Sequence, residues 1–441
     1  MADSLLIDNA FIVTCNTKHE IIEDGYVYVE GNRIEEIGTG SPEVKPSKHI
    51  DGSGCVLIPG LVTAHTHLYG ILLRGADLGI EPPTDFAQVL QRVWWPVDEA
   101  LTLEDAHASA LSASVDMLKS GSTLFADTYS GPNSIEGSLQ AIADATKSVG
   151  IRSILAFEMT ERHDPEEARN GLKENIRFIR EAKQEPLVSG MMSVHASFTV
   201  GDEIVKEAAS TANKLGAPIT VHTSEGKVDL YHNLERWGER TVERLDRLGL
   251  LDSNAVLAHC VHVSENELEL IRKRDAKVAH NPMSNMLNAV GTAPVPDMLD
   301  MGITVGLGND GWIYDPFENM RCAMTVHRLA SGNPSEIGPS EVFRMATIEG
   351  ARCYGLEDHL GSIETGKFAD LVLLDGTNVP TPLNRKSVIG HIVNTFTGSD
   401  VSHVVVNGDT VVENGRLTTM DEESVIQKSR QSAKKLWKRL K

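Results

Sequence analysis

Apolar and polar positions change their rhythm twice along the chain. From Ile58 to about residue 360, short apolar runs alternate with longer segments of helical periodicity. The short runs predict strands at Gly60–His65, Ser122–Asp127, Ser153–Glu158, Met191–His195, Ile219–His222, Ala255–His259, Lys277–His280 and Thr304–Leu307. The longer segments predict helices such as Leu103–Ser120, Ser134–Val149, Asp164–Gln184 and Ser264–Arg274. Eight strand–helix alternations imply an α/β fold with parallel strands and helical crossovers, and eight is the number that closes a TIM-type (β/α)8 barrel. A doubly wound open sheet is the alternative; it would collect ligand groups at one switch point, not at many strand ends.

On either side of this region the pattern is strand-like. Residues 1–57 read as strands such as Leu5–Val13 and Tyr26–Glu30, the latter followed by a Gly31-Asn32 turn. After residue 360, Phe368–Asp375 reads as a strand. His403–Asn407 and Thr410–Glu413 read as a hairpin hinged at Asn407-Gly408-Asp409. Neither flank can build a core alone, so both are expected to meet in one small composite β-sandwich. The expected divisions are residues 1–57 and 361–420 for the sandwich, 58–360 for the barrel and 421–441 for a C-terminal helix.

Composition narrows the function. The balance is 41 basic against 62 acidic residues, a net charge of −21. Such a surface repels phosphate backbones and anionic lipid, so neither nucleic acid nor membrane is expected as a partner. The C-terminal segment carries seven basic residues (Lys428, Arg430, Lys434, Lys435, Lys438, Arg439 and Lys441) and Trp437. It reads as a solvated basic face packed on an acidic protein, with a nucleic-acid or membrane tail as the alternative. The five cysteines (Cys15, Cys55, Cys260, Cys322 and Cys353) are scattered without paired spacing, as for free thiols in a reducing compartment. The opening residues lack a basic region followed by an apolar one, and no apolar run approaches membrane-spanning length. A cytoplasmic location is therefore expected.

The chemistry-bearing residues gather at strand ends. His65 and His67 are separated by one residue at the end of the first barrel strand, so their imidazoles share a face and form half of a divalent-metal site. The fifth strand ends in His222-Thr223-Ser224-Glu225, the sixth in His259-Cys260 and the eighth in Asn309-Asp310. Ligand-type groups on several strand ends of one barrel converge on its catalytic rim. Cys260 could suggest a nucleophile, but its place on a buried strand end favours packing.

Here the chain resembles a family. Pro59-Gly60-Leu61-Val62-Thr63-Ala64-His65-Thr66-His67, His222-Thr223-Ser224-Glu225, Ala258-His259-Cys260, His280-Asn281-Pro282-Met283-Ser284-Asn285 and Asp310-Gly311 resemble the amidohydrolase superfamily, in its metal-dependent deaminase and triazine-hydrolase branch. Gly361–Leu371 is similar to that family's return to its β-sandwich. Trp94–Asp98, Phe157–Thr160, Pro382–Asn384 and Gly390–Ile392 look most like SsnA-like aminohydrolases.

The resemblance implies His65, His67, His222 and Asp310 as metal ligands. Three neutral nitrogens and one carboxylate also suit zinc, and ferrous iron, on chemical grounds. Binuclear relatives bridge two metals with a carboxylated lysine on the fourth strand; Val194-His195-Ala196 offers none, so one metal ion is expected. Glu225 is the expected general acid to a ring nitrogen, Asp310 the base, and His259 the group that orients water or polarises the attacked carbon. His195, Arg74, Trp94 and Ser284 are expected at the substrate, with Trp94 and Trp95 able to stack on a planar ring. The loop Leu78–Phe86 departs from the acidic pair, Pro-Leu and Trp-Leu of the nucleoside deaminases, which argues against an adenosine-type substrate.

The expectation is a metal-dependent hydrolase, in a homo-oligomer (a dimer), that attacks a C–N bond of a purine, pyrimidine or triazine. Ring-opening of a cyclic amide, or dechlorination, would use the same machinery. A non-catalytic metal- or ligand-binding barrel is the alternative of another class, and it would need neither Glu225 nor Asp310 as acid and base.

Overall fold

The structure is a computed structural model that describes residues 4–40 and 42–441. Eight parallel strands form the barrel wall in sequence order: Leu61–Thr66, Ser122–Tyr129, Arg152–Met159, Met192–Ala196, Ile219–Thr223, Ala255–His259, Lys277–His280 and Val305–Leu307. They are called here the first to eighth barrel strands. The second and third are buried at every position, as expected of strands covered on one side by helices and on the other by the barrel interior. At the mouth the eighth strand returns to the first, where Asn309 N donates to His65 O at 2.9 Å.

The helices begin where side chains can hold their free amides. Thr102 and Asp105 form a reciprocal cap at Leu103–Lys119, and Ser264 and Glu267 do the same at Glu265–Arg274. Asp164 accepts from two amides at the start of Pro165–Glu181. The helix expected from Ser134 begins instead at Ser138, because Pro132–Ser134 winds into a 3-10 turn and Gly137 precedes it in the left-handed region at φ 81°.

Both chain ends meet in a nine-stranded sheet. Cys55–Pro59 lies between Ser4–Val13, which runs parallel to it, and Leu371–Asp375, which runs antiparallel. The hairpin Val401–Val406 and Asp409–Glu413 extends the sheet, turning at Asn407 and Gly408, both with positive φ. Leu5, Ile7, Ile12, Val27, Val29, Leu371 and Val405 contribute to its apolar core. A buried ion pair joins the sheet to the barrel: Arg152 Nε on the third barrel strand meets Asp370 Oδ2 at 2.9 Å, and Arg152 Nη2 donates to Asn407 Oδ1 at 2.7 Å.

The C-terminal helix, Glu422–Arg439, lies against Leu103–Lys119. Arg439 pairs with the buried Asp105, and Trp437 Nε1 donates to the Leu72 carbonyl at 2.7 Å. The amphipathic pattern of this segment thus becomes a strap across the first barrel loop. Among the described residues, no helix is long and apolar enough to cross a membrane.

All five thiols are unpaired, and burial raises the pKa of each. Cys15 and Cys353 are pushed to about 12, and Cys260 lies well above its ordinary range. An alkylating reagent at mildly alkaline pH should therefore label the half-buried Cys55 first in native protein. Cys15, Cys260 and Cys353 should react only after denaturation, as read by peptide mass spectrometry. Rapid native labelling of those three would contradict their placement in the core.

Candidate active site

The site stands on the strand ends that the sequence singled out. His65 and His67 leave the first strand with their rings 4.9 Å apart, and His222 lies 5.3 Å from His67 across the barrel. Three of the turns that follow contain a non-glycine residue in the left-handed region: Ser224 at φ 47°, His259 at 73° and Asp310 at 54°. Such conformations are uncommon and cluster at functional sites, and each here aims a side chain where a continuing strand would not. Gly311 follows at φ 77°, where a Cβ would stand 2.5 Å from the His67 carbonyl oxygen. That close approach locks the Asp310 turn against the first strand.

Hydrogen bonds decide which way each imidazole faces. His67 Nδ1 donates to the Thr128 carbonyl on the second strand at 2.9 Å, and His222 Nδ1 to the His195 carbonyl on the fourth at 2.7 Å. Their Nε2 atoms therefore point inward and lie 3.2 Å apart. Asp310 Oδ1 lies 3.1 Å from His67 Nε2 and 3.2 Å from His65 Nε2. Electron-rich atoms this close require a positive charge among them, either a proton or a metal ion. The pKa of His67 expresses the same need: burial lowers it, but Glu158 and Asp310 outweigh that and raise it to about 10. The donor atoms of His65, His67, His222 and Asp310 all lie within 4.8 Å of one another. Nitrogen and carboxylate donors in this arrangement fit a divalent metal.

A second cluster stands beside the first. Glu225, His259 and Asp310 also bring their donor atoms within 4.8 Å of one another. His259 Nδ1 donates to Asn285 Oδ1 at 2.8 Å, which leaves Nε2 facing Glu225 Oε2 at 3.6 Å and Asp310 Oδ1 at 3.7 Å. Burial holds His259 neutral, with its pKa at about 3. The two carboxyls behave oppositely. Burial and the charge of Asp310 raise the pKa of Glu225 well above the usual range, so it keeps its proton. For Asp310 burial also favours the proton, but His259, His65 and His67 outweigh it and hold the group well below the usual range. Two carboxyls with pKa values pushed apart are the pattern of a paired acid and base.

The cleft above these groups encloses about 620 Å³ including its mouth, with His67, His195, His222, Glu225 and Asp310 in its walls. Trp94 also lines it, edge-on to Tyr69 at 5.9 Å and to Trp312 at 5.7 Å. His195 reaches it with Nδ1 bonded to Thr199 Oγ1 at 2.9 Å.

Two residues expected at the substrate are placed elsewhere. Arg74 turns outward, bonding Asp116 Oδ2 at 2.7 Å and the Trp312 carbonyl at 3.3 Å, with its guanidinium over Tyr314. An accessible acidic partner on the neighbouring helix holds it there. Ser284 is fully buried and its hydroxyl donates to Asp310 Oδ2, so it fixes the carboxylate from behind and is not part of the cleft wall.

The residue reading of strand ends passed over Glu158, which the third strand delivers to the cleft wall. It is 1% exposed and stands 3.6 Å from His222 Nδ1. The signal was available: a lone carboxylate next to the last residue of the strand Arg152–Met159, after an apolar run from Ile154 to Phe157. Asp98 was missed as well. It forms a buried ion pair with Arg162 at 3.0 Å beside Trp95.

Comparison with known proteins agrees with this construction. Residues 56–411 match the amidohydrolase family. The 5'-deoxyadenosine deaminase of Methanosarcina mazei is 34% identical, over 99% of each chain. The 5-methylthioadenosine/S-adenosylhomocysteine deaminase of Carboxydothermus hydrogenoformans is 35% identical, over 96% of each. A zinc-bound adenosine deaminase structure from Xanthomonas campestris is similar at a TM-score of 0.89 and 25% identity, covering 98% of both chains. Atrazine chlorohydrolase from Arthrobacter aurescens shares the fold at a TM-score of 0.86 and 22% identity, over 97% of this chain and 100% of that one. A barrel whose first, fifth and eighth strands bring three imidazoles and a carboxylate together, matched along most of its length, makes this chain a member of the amidohydrolase family.

Proposed function

We propose that this protein is a deaminase of amino-substituted nitrogen heterocycles, working through one divalent metal ion, zinc or iron, held by His65, His67, His222 and Asp310. The observation that carries the reading is geometric: the carboxyls of Glu225 and Asp310 stand 3.6 and 3.7 Å from His259 Nε2, directly beside the cluster of His65, His67, His222 and Asp310. A binding barrel has no need of two carboxyls placed in this way. The nucleoside deaminases among the relatives support an amino-substituted ring as substrate.

A metal ion held by His65, His67, His222 and Asp310 would acidify a water enough for it to attack at neutral pH. Asp310, held by Ser284, accepts the proton that the water loses. With Nδ1 donating to Asn285, His259 Nε2 is an acceptor; it takes a long hydrogen bond from Asn281 Nδ2 at 3.4 Å and keeps its face toward Glu225 and Asp310, where it would orient the water. Glu225 gives its proton to the ring nitrogen beside the attacked carbon, so negative charge does not build up there. The proton held by Asp310 then passes to the amine. The C–N bond breaks, ammonia leaves, and the ring carbon keeps the oxygen as a carbonyl, whose remaining proton returns to Glu225. The Trp94 indole, braced by Tyr69 and Trp312, offers a flat wall to the ring.

Ammonia release from purines, purine nucleosides, pyrimidines and aminotriazines by the metal-loaded protein tests the reaction. Failure of every class would remove it. Metal content should be near one per chain. The neighbouring cluster of Glu158, His195 and His222 does not make a second site, because His222 Nδ1 is engaged by the His195 carbonyl. Elemental analysis showing two tightly held ions would overturn this. His65→Ala and Asp310→Ala should lose metal while keeping the native circular dichroism spectrum.

Glu225→Gln should retain metal and lower kcat by about 10² to 10⁴, roughly 3 to 5 kcal/mol of barrier, with a much smaller change in KM. An unchanged kcat at full metal occupancy would take Glu225 out of the mechanism.

A further inference from the structure

Glu158 has no part in the reaction just described, yet it is buried in the middle of the site, 1% exposed. Its strand, the third, runs between the two strands whose carbonyls hold metal-binding imidazoles. On the second strand the Thr128 carbonyl accepts from His67 Nδ1, and on the fourth the His195 carbonyl accepts from His222 Nδ1. Glu158 Oε1 stands 4.0 Å from that His67 Nδ1 and 3.6 Å from that His222 Nδ1. The carboxylate is therefore behind both rings, on the side opposite their inward Nε2 atoms.

No lysine or arginine among the described residues pairs with Glu158. Arg162, four residues further on, bonds Asp98 at 3.0 Å and Ser130 Oγ at 3.4 Å instead. Both neighbouring Nδ1–H groups are taken by carbonyls, and Oε1 has no hydrogen-bond partner among the described residues. A buried carboxylate in this position is costly unless a nearby positive charge offsets it.

The ligand set supplies that charge. A dication held by three neutral imidazoles and Asp310 leaves one positive charge in a buried site. Glu158 stands as one negative charge behind two of those imidazoles. There it polarises their N–H bonds and makes each Nε2 a stronger donor to the ion.

We propose that Glu158 is a positioning residue of the metal site, a buried countercharge that acts through His67 and His222 to tighten the hold on a divalent ion and to balance the charge of the centre. This rests on the ligand set of the proposed deaminase and adds a residue that acts without ligating. It has a signature with two opposite signs. Removing the charge should weaken metal binding, because the imidazoles become poorer donors. The same change should tighten the binding of small anions, because the centre becomes net cationic. A mere packing defect would weaken metal binding but gives no reason for anions to bind more tightly.

The test measures zinc affinity by chelator competition, and azide affinity from the visible spectrum of the protein at saturating cobalt. Glu158→Gln keeps the shape and loses the charge. Its zinc Kd should rise about 10- to 100-fold, and its azide Kd should fall roughly three- to tenfold. Glu158→Asp keeps the charge and leaves space behind the rings, so both constants should stay closer to the parent values than those of Glu158→Gln. Glu158→Leu, also neutral, should show the same two shifts as Glu158→Gln and replaces it if the glutamine variant does not fold.

Unchanged constants in the neutral variants, weaker azide binding in them, or a larger loss of zinc affinity in Glu158→Asp than in Glu158→Gln would overturn the proposal. The last order would follow shape and not charge. A parent protein that binds no zinc would remove the ligand set itself. A parent that binds one zinc ion, beside neutral variants indistinguishable from it, would remove only the role of Glu158.

Discussion

The active end of the barrel is organised by lone pairs that have nowhere else to turn. Three imidazoles at the mouth have Nδ1 bonded to the barrel wall or its turns: His67 to Thr128, His222 to His195 and His259 to Asn285. Each Nε2 is thereby turned inward: those of His67 and His259 face Asp310 at 3.1 and 3.7 Å, and that of His222 lies 3.2 Å from His67 Nε2. The first two bonds run to carbonyls of adjacent strands, so strand register itself sets the ligand geometry. A positive charge is needed to hold such a group of donors together, and a metal ion meets that need while leaving every imidazole neutral.

The same crowding separates the two carboxyls on which the proposed chemistry depends. Asp310 stands among imidazoles and stays ionised, whereas Glu225 is buried beside Asp310 and stays protonated. Neither state is a property of the side chain alone. Each follows from burial and from the charge of its neighbours, which is how one fold keeps an acid and a base within a few ångströms at a single pH.

More distant parts of the chain hold this arrangement still. The third strand, which carries Glu158, is tied at its other end to the β-sheet by Arg152 and Asp370. The C-terminal helix fastens the turn that carries Tyr69 and Leu72 through Trp437, and Arg439 anchors it to Asp105. Its basic residues lie along an acidic protein, and Arg439 and Trp437 have specific partners.

Much of this was legible in the sequence because it depends on local periodicity. Eight apolar runs alternating with helical segments implied a parallel barrel, and a histidine or acid at the end of a run implied the rim, so His65, His67, His222, Glu225, His259 and Asp310 could be named from the sequence. The comparisons add the family to those positions. Direction was not legible. Arg74 and Ser284 lie near the site in sequence, but Asp116 draws the first outward and Asp310 draws the second behind the cleft. Both partners are far away along the chain. Glu158 was readable as a carboxylate near a strand end, but not as an unmet acceptor, because that depends on which carbonyls engage its neighbours. Residue type and spacing determine what can gather at a barrel rim. Only the packed structure decides which way each polar atom faces and what charge it carries, because hydrogen-bond direction and desolvation are set by neighbours from other strands.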